Sequence, residues 1–163
     1  QFRTFLDGDE LTRVRDVARR LAPYGTPQGH EPIRYQVDVV DSPIQHEYAF
    51  TDGRLLLTSS LVRHLRSPGQ IAAVLSQMME RVIVTRHPSF NTVPYSRLAV
   101  GITTQAGYDP RAIAWLLDER SRTVAPDGPE AARRLEDLQL RSVRVATEIS
   151  AAFPAGVPES LIK

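Results

Sequence analysis

Apolar positions recur at steps of three and four over residues 9–24, where Leu11, Val14, Val17, Ala18 and Leu21 fall on one face of an expected helix. Asp7 or Asp9 stands where a capping side chain belongs, and Pro23 and Gly25 end the run. The period then changes to two. Ile33, Tyr35, Val37 and Val39 alternate with Arg34, Gln36 and Asp38, which predicts a half-buried strand over 33–40. Residues 45–51 and 54–58 read as two further strands. Asp52-Gly53 between them is a hairpin signal of type I′, a turn that needs positive φ.

From there the pattern is helical to the end. Ser59 or Ser60 can cap a short helix over 61–65. Ser67-Pro68 opens a long one over 68–87, with Ser67 as cap and Pro68 at its first position. Ile71, Val74, Leu75, Met78, Met79, Val82, Ile83 and Val84 give this helix an apolar face wide enough to imply burial on most sides. Pro88 ends it, and 89–94 reads as a loop. Helices are expected over 95–106, stopped by Gly107, over 111–122, and over 130–153 after a linker at 126–129. The pattern predicts an α+β fold: a small sheet with a hairpin and about five to six helices around the central helix 68–87. Residues 1–153 read as a single domain and 154–163 as a loose C-terminal tail.

Composition narrows the partners. Twenty Lys+Arg against nineteen Asp+Glu leave a formal charge of +1, so no basic footprint for nucleic acid stands out. Lys163 is the one lysine among these twenty, a bias that chemistry does not demand. Cysteine is absent, which excludes disulfides and thiolate metal sites. No run of about 18 apolar residues is present, so no membrane span is expected. The chain begins at Gln1, as a mature or trimmed chain would, and a targeting segment would then lie outside it.

Three segments carry a resemblance. The first runs from His46-Glu47-Tyr48-Ala49-Phe50 through Asp52-Gly53 to Leu61. The second is Ile71-Ala72-Ala73-Val74-Leu75, leading into the central helix and ending at Thr85-Arg86-His87. The third is Ala106-Gly107-Tyr108-Asp109-Pro110-Arg111-Ala112. In this order and spacing they resemble the HtpX/Oma-type zinc metallopeptidases, a gluzincin family, over roughly residues 5–145. The resemblance implies a zincin-like metallopeptidase fold, with zinc as the family's cofactor. It also implies a bacterial cell-envelope or periplasmic setting.

The family's zinc site does not carry over. Such enzymes place His-Glu-x-x-His on a helix, so that two imidazoles share one face and the Glu polarises the attacking water. The matching positions here are Gln77, Met78 and Arg81. Thr92 stands at the third ligand, a glutamate in the family, and Ser96 at the aspartate that follows it. Gly128-Pro129 stands where a histidine-proline often occurs. Neither a catalytic residue nor a metal ligand is expected at these degenerate positions.

Several other residues admit both a chemical and a plainer role. Glu80, His87 and His64 are the residues from which a different metal site would be built; the plainer reading is a surface Glu and a His at a helix end. Gln77 and Arg81, four apart, can hydrogen-bond, and a buried Arg81 would need Asp118, Glu119 or Glu148 as partner; otherwise it reaches solvent. His46 and Glu47 fit the solvent face of a strand better than a catalytic pair, and His30 an ordinary surface loop. Met78 and Met79 would line an apolar pocket or, more simply, fill core. The expected function is a catalytically inactive metallopeptidase-like domain that binds a polypeptide or partner protein, or scaffolds an envelope assembly, as an oligomer or not. The cleft is expected at His46, Tyr48, Phe50, Gln77 and Arg81. The alternatives are an active zinc-dependent endopeptidase with rearranged ligands, and a structural subunit whose cleft is filled.

Overall fold

The structure, a computed structural model, describes residues 4–92, 96–123 and 128–161. Among these, a four-stranded sheet and six α-helices form an α+β fold. The chain runs β1 (Phe5–Leu6), α1 (Asp9–Leu21), β2 (Gln36–Val40), β3 (Glu47–Ala49), β4 (Arg54–Thr58), α2 (Ser59–His64), α3 (Pro68–Arg86), α4 (Arg97–Gln105), α5 (Arg111–Thr123) and α6 (Pro129–Ala152). Short 3-10 turns cover Ala22–Tyr24, Pro88–Thr92 and Glu159–Leu161. The last falls in the expected tail, and Pro88–Thr92 falls in the expected loop. The linker residues Pro126 and Asp127 lie outside the described residues, and Pro129 is already helical.

The sheet order is β1-β2-β4-β3. β4 lies parallel to β2 and antiparallel to β3, so the hairpin folds back into the sheet and leaves β3 at the edge. Val37, Val39, Leu55 and Leu57 are buried, the inward half of the period-two pattern. β1 is a two-residue strand with no sequence signal of its own. It forms because Phe5 and Leu6 pair with Val40 and Val39.

Several local expectations are corrected. The second strand is shorter than 33–40 because β4 offers partners only from Arg54, which faces Gln36. Upstream, the Ile33 amide donates to Thr26 Oγ1 and the Tyr35 hydroxyl to the Gly25 carbonyl. The hairpin turn is not type I′. Phe50 N–H donates to the Arg54 carbonyl and Gly53 N–H to the Phe50 carbonyl, enclosing three loop residues. Positive φ falls on Gly53 alone, at 102°, as in a loop ending in a one-residue bulge. A Cβ at Gly53 would also lie 2.4 Å from the Arg34 carbonyl oxygen. Neither Asp7 nor Asp9 caps α1: Gly8 holds the cap position, and Asp9 and Glu10 complement the dipole from the first turn. Thr58, not Ser59 or Ser60, caps α2. Ser59 Oγ instead donates toward Asp41 and the Ser42 carbonyl and accepts from the Ser42 amide, fixing the loop into β3.

α3 is the pillar that its apolar pattern predicts. Ser67 accepts from the Gln70 amide at 3.2 Å, with Pro68 in the first turn. Every residue from Ile71 to Met79 is buried. The helix packs against α1, α4, α5 and the edge strand β3. The Ala106–Ala112 segment does structural work. Gly107 ends α4 at φ 88°, Tyr108 is buried, and Arg20 of α1 lies over the Tyr108 ring while donating to the Ala106 carbonyl. Asp109 accepts from the Arg111 amide at the start of α5.

Candidate functional site

Two adjoining concavities flank α3. The larger is a groove of about 730 Å³ along β3, with walls from α5 and α6. The smaller, about 180 Å³, lies between α3 and the start of α4. Arg81 and Arg141 border both. His46, Tyr48, Phe50 and Arg81 of the expected cleft line the groove, whereas Gln77 lines the smaller cavity.

Backbone chemistry gives the groove a free edge. His46 O accepts from the Thr58 amide and Phe50 N–H donates to Arg54 O. The paired backbone groups of β3 therefore belong to its even-numbered residues. Those of Glu47 and Ala49 point away from β4, toward the groove. Among the described residues no other strand pairs with β3. Tyr48 and Phe50 are exposed on one face, with His46 against Tyr48 at 4.4 Å between ring centres.

Glu47 corrects the expectation that it shares the solvent face with His46. Adjacent strand residues point to opposite faces. The Glu47 side chain is 10% exposed and paired with Arg120 of α5, tying the edge strand to the groove wall. On the same wall His64 pairs with Glu119 and stacks near Trp115. On α6, Asp137 pairs with Arg141 at 3.0 Å.

The positions that the resemblance aligns with a zinc site divide. Gln77, Arg81 and Ser96 meet at the smaller cavity. Met78 does not reach it: the side chain is fully buried in the core, as is Met79. Thr92 lies in the 3-10 turn Pro88–Thr92, and its side chain lies outside the described residues. Gln77 and Arg81 make no mutual hydrogen bond; the Gln77 Nε2 is buried without a partner among the described residues. Arg81 is exposed, and the three carboxylates considered for it are engaged elsewhere: Asp118 with Arg122, Glu119 with His64, Glu148 with Arg97.

Glu80 is not the surface residue expected. Its Oε2 accepts from the Ala99 amide at 3.2 Å, and the amides of Leu98 and Ser96 also favour its charged form. It caps α4 from a neighbouring helix. Ser96, at that helix's cap position, has φ 66° and gives no side-chain capping bond. Burial nonetheless raises the Glu80 pKa above the ordinary carboxylate value.

The metal expected of the family does not fit this donor set. Where the resemblance would put two imidazoles stand an amide and a guanidinium, the hydroxyl beside them is that of Ser96, and the nearby Glu80 is committed to α4. The residues considered for a different site are not brought together: His64 meets Glu119, and His87 meets the rings of His30 and Phe90. His30 thus belongs to a ring cluster, with 4.4 Å between its centre and that of His87. Sequence reasoning missed Arg120, Arg134, Asp137 and Arg141 as groove residues. The spacing of the last three marks one helix face, but nothing in it shows that α6 lines the groove.

No protein-family model matches the sequence, and no curated protein is significantly similar to it. Among the described residues no helix is long and apolar enough to cross a membrane.

Proposed function

We propose that this chain is a degenerate zincin-like domain, related to the HtpX/Oma-type peptidases, that binds an extended polypeptide segment without hydrolysing it. The observation that carries this reading is the unpaired edge of β3 in a groove beside the central helix. Peptidases of the resembled scaffold hold substrate against a sheet edge in that position. Main-chain pairing with such an edge requires no metal. The outward groups of Glu47 and Ala49 supply the backbone partners, and exposed Tyr48 and Phe50 supply apolar contact. The replaced positions Gln77, Arg81 and Ser96 argue against hydrolysis through zinc. The setting implied by the resemblance is the bacterial cell envelope, where a holdase or scaffold would meet unfolded chains.

β-Casein, an unfolded protein, serves as the probe. The wild-type chain is expected to bind it, measured by fluorescence anisotropy, and to leave it intact on prolonged incubation. Ala49→Pro removes one outward N–H that β4 does not use, so binding should fall while the fold persists. Chelator-sensitive cleavage would favour the zinc peptidase reading instead. Absence of binding would overturn the proposal.

A further inference from the structure

The smaller cavity has unmet hydrogen-bonding capacity. Gln77 is 8% exposed and Ser96 1%, and both line it. Gln77 Nε2 and Ser96 Oγ are shielded from solvent and have no hydrogen-bond partner among the described residues. A buried donor left without an acceptor destabilises the fold, so each favours a ligand that supplies one. Both can donate, the first as an amide and the second as a hydroxyl.

Charge selects what would satisfy them. Arg81 and Arg141 border the cavity and Glu80 is its one lining carboxylate among the described residues, which leaves a net charge of +1. The Glu80 charge is turned to the amide end of α4. Arg141 is engaged with Asp137, whereas Arg81 is exposed, makes no ion pair among the described residues and lies four positions along α3 from Gln77. Because both arginines also border the groove, a chain lying along β3 passes the cavity mouth.

We infer that the cavity is a carboxylate subsite of the groove, in which Arg81, Gln77 and Ser96 take an acidic side chain or the C-terminal carboxylate of the bound polypeptide. This rests on the groove reading above and adds a specificity to it. A carboxylate oxygen accepts from an amide, a hydroxyl and a guanidinium at once, and charge-assisted bonds are the stronger kind. A lysine or arginine side chain would meet Arg81 with like charge.

The test uses labelled nonapeptides of alternating Ser and Val, blocked at both ends, with Glu at each position in turn. Matched sets carry Gln instead, and one Gln peptide has a free C terminus. Glu is expected to bind about tenfold tighter than Gln at one position, the scale of one charge-assisted bond. Arg81→Gln, at an exposed position that leaves the core intact, should erase that preference, so that Glu and Gln peptides bind this variant alike. A preference carried only by the free C terminus, and lost in Arg81→Gln, would identify the chain end as the source. Equal binding of the Glu, Gln and free-terminus peptides would overturn the subsite and leave the groove standing. So would a Glu preference equal at all positions, or one that survives Arg81→Gln. Failure of every peptide to bind would remove the groove reading and the subsite with it.

Discussion

Glu80 solves a local problem that Ser96 leaves open. The first amides of α4 need acceptors, and Ser96, held at φ 66°, supplies none from its side chain. Glu80→Ala should therefore cost about 1–2 kcal/mol in urea unfolding, the scale of a lost helix cap. The pH dependence has a defined sign. Burial raises the folded-state pKa above the ordinary 4.5, so the folded chain holds this proton to higher pH than the unfolded chain. Stability then falls as pH rises from the unfolded value through the raised folded one. Glu80→Gln, which keeps an acceptor oxygen, should flatten that part of the curve; an unchanged slope would contradict the assignment. At Ser96 the left-handed backbone costs a non-glycine residue about 1–2 kcal/mol. Ser96→Gly should leave the melting temperature unchanged or raise it, whereas the β-branched Ser96→Val should lower it. None of this was legible in the sequence. Glu80 is nineteen residues from Ala99, and nothing local marks a carboxylate that caps another helix.

Among the elements, α3 was the most legible, because its cap, its proline and its apolar run agree. The same run fixes what Met78 does. Met78→Glu, which would introduce the glutamate of the resembled family, would place a charge in a fully buried core position rather than in the cavity. It should prevent stable folding, while Met78→Ala should cost about 2–5 kcal/mol by thermal or urea unfolding. Three of the four strands were legible, and their extent less so. β2 is cut to its paired length by where β4 begins, and β1 exists only through its partner. The hairpin signal at Asp52-Gly53 located the turn but not its type, which Gly53 alone decides. Gly53→Ala meets both a positive φ and the Arg34 carbonyl at 2.4 Å, so it should destabilise the hairpin measurably.

For the whole molecule, the proposed reading is a zincin-like scaffold that binds in its cleft without zinc. EDTA should then leave the melting temperature unchanged, because no folding energy is tied to a metal. The sequence pointed to His46, Tyr48, Phe50 and Arg81 as cleft residues, and these do line one groove. It did not foresee the α6 wall or the separate cavity at Gln77, which depend on long-range packing rather than on any local motif. The most direct measurement is hydrogen–deuterium exchange with and without saturating β-casein. Edge pairing predicts slower exchange at the Glu47 and Ala49 amides, which point away from β4, with little change at Tyr48, already bonded to β4. Unchanged exchange at Glu47 and Ala49 in a chain that binds β-casein would contradict the account.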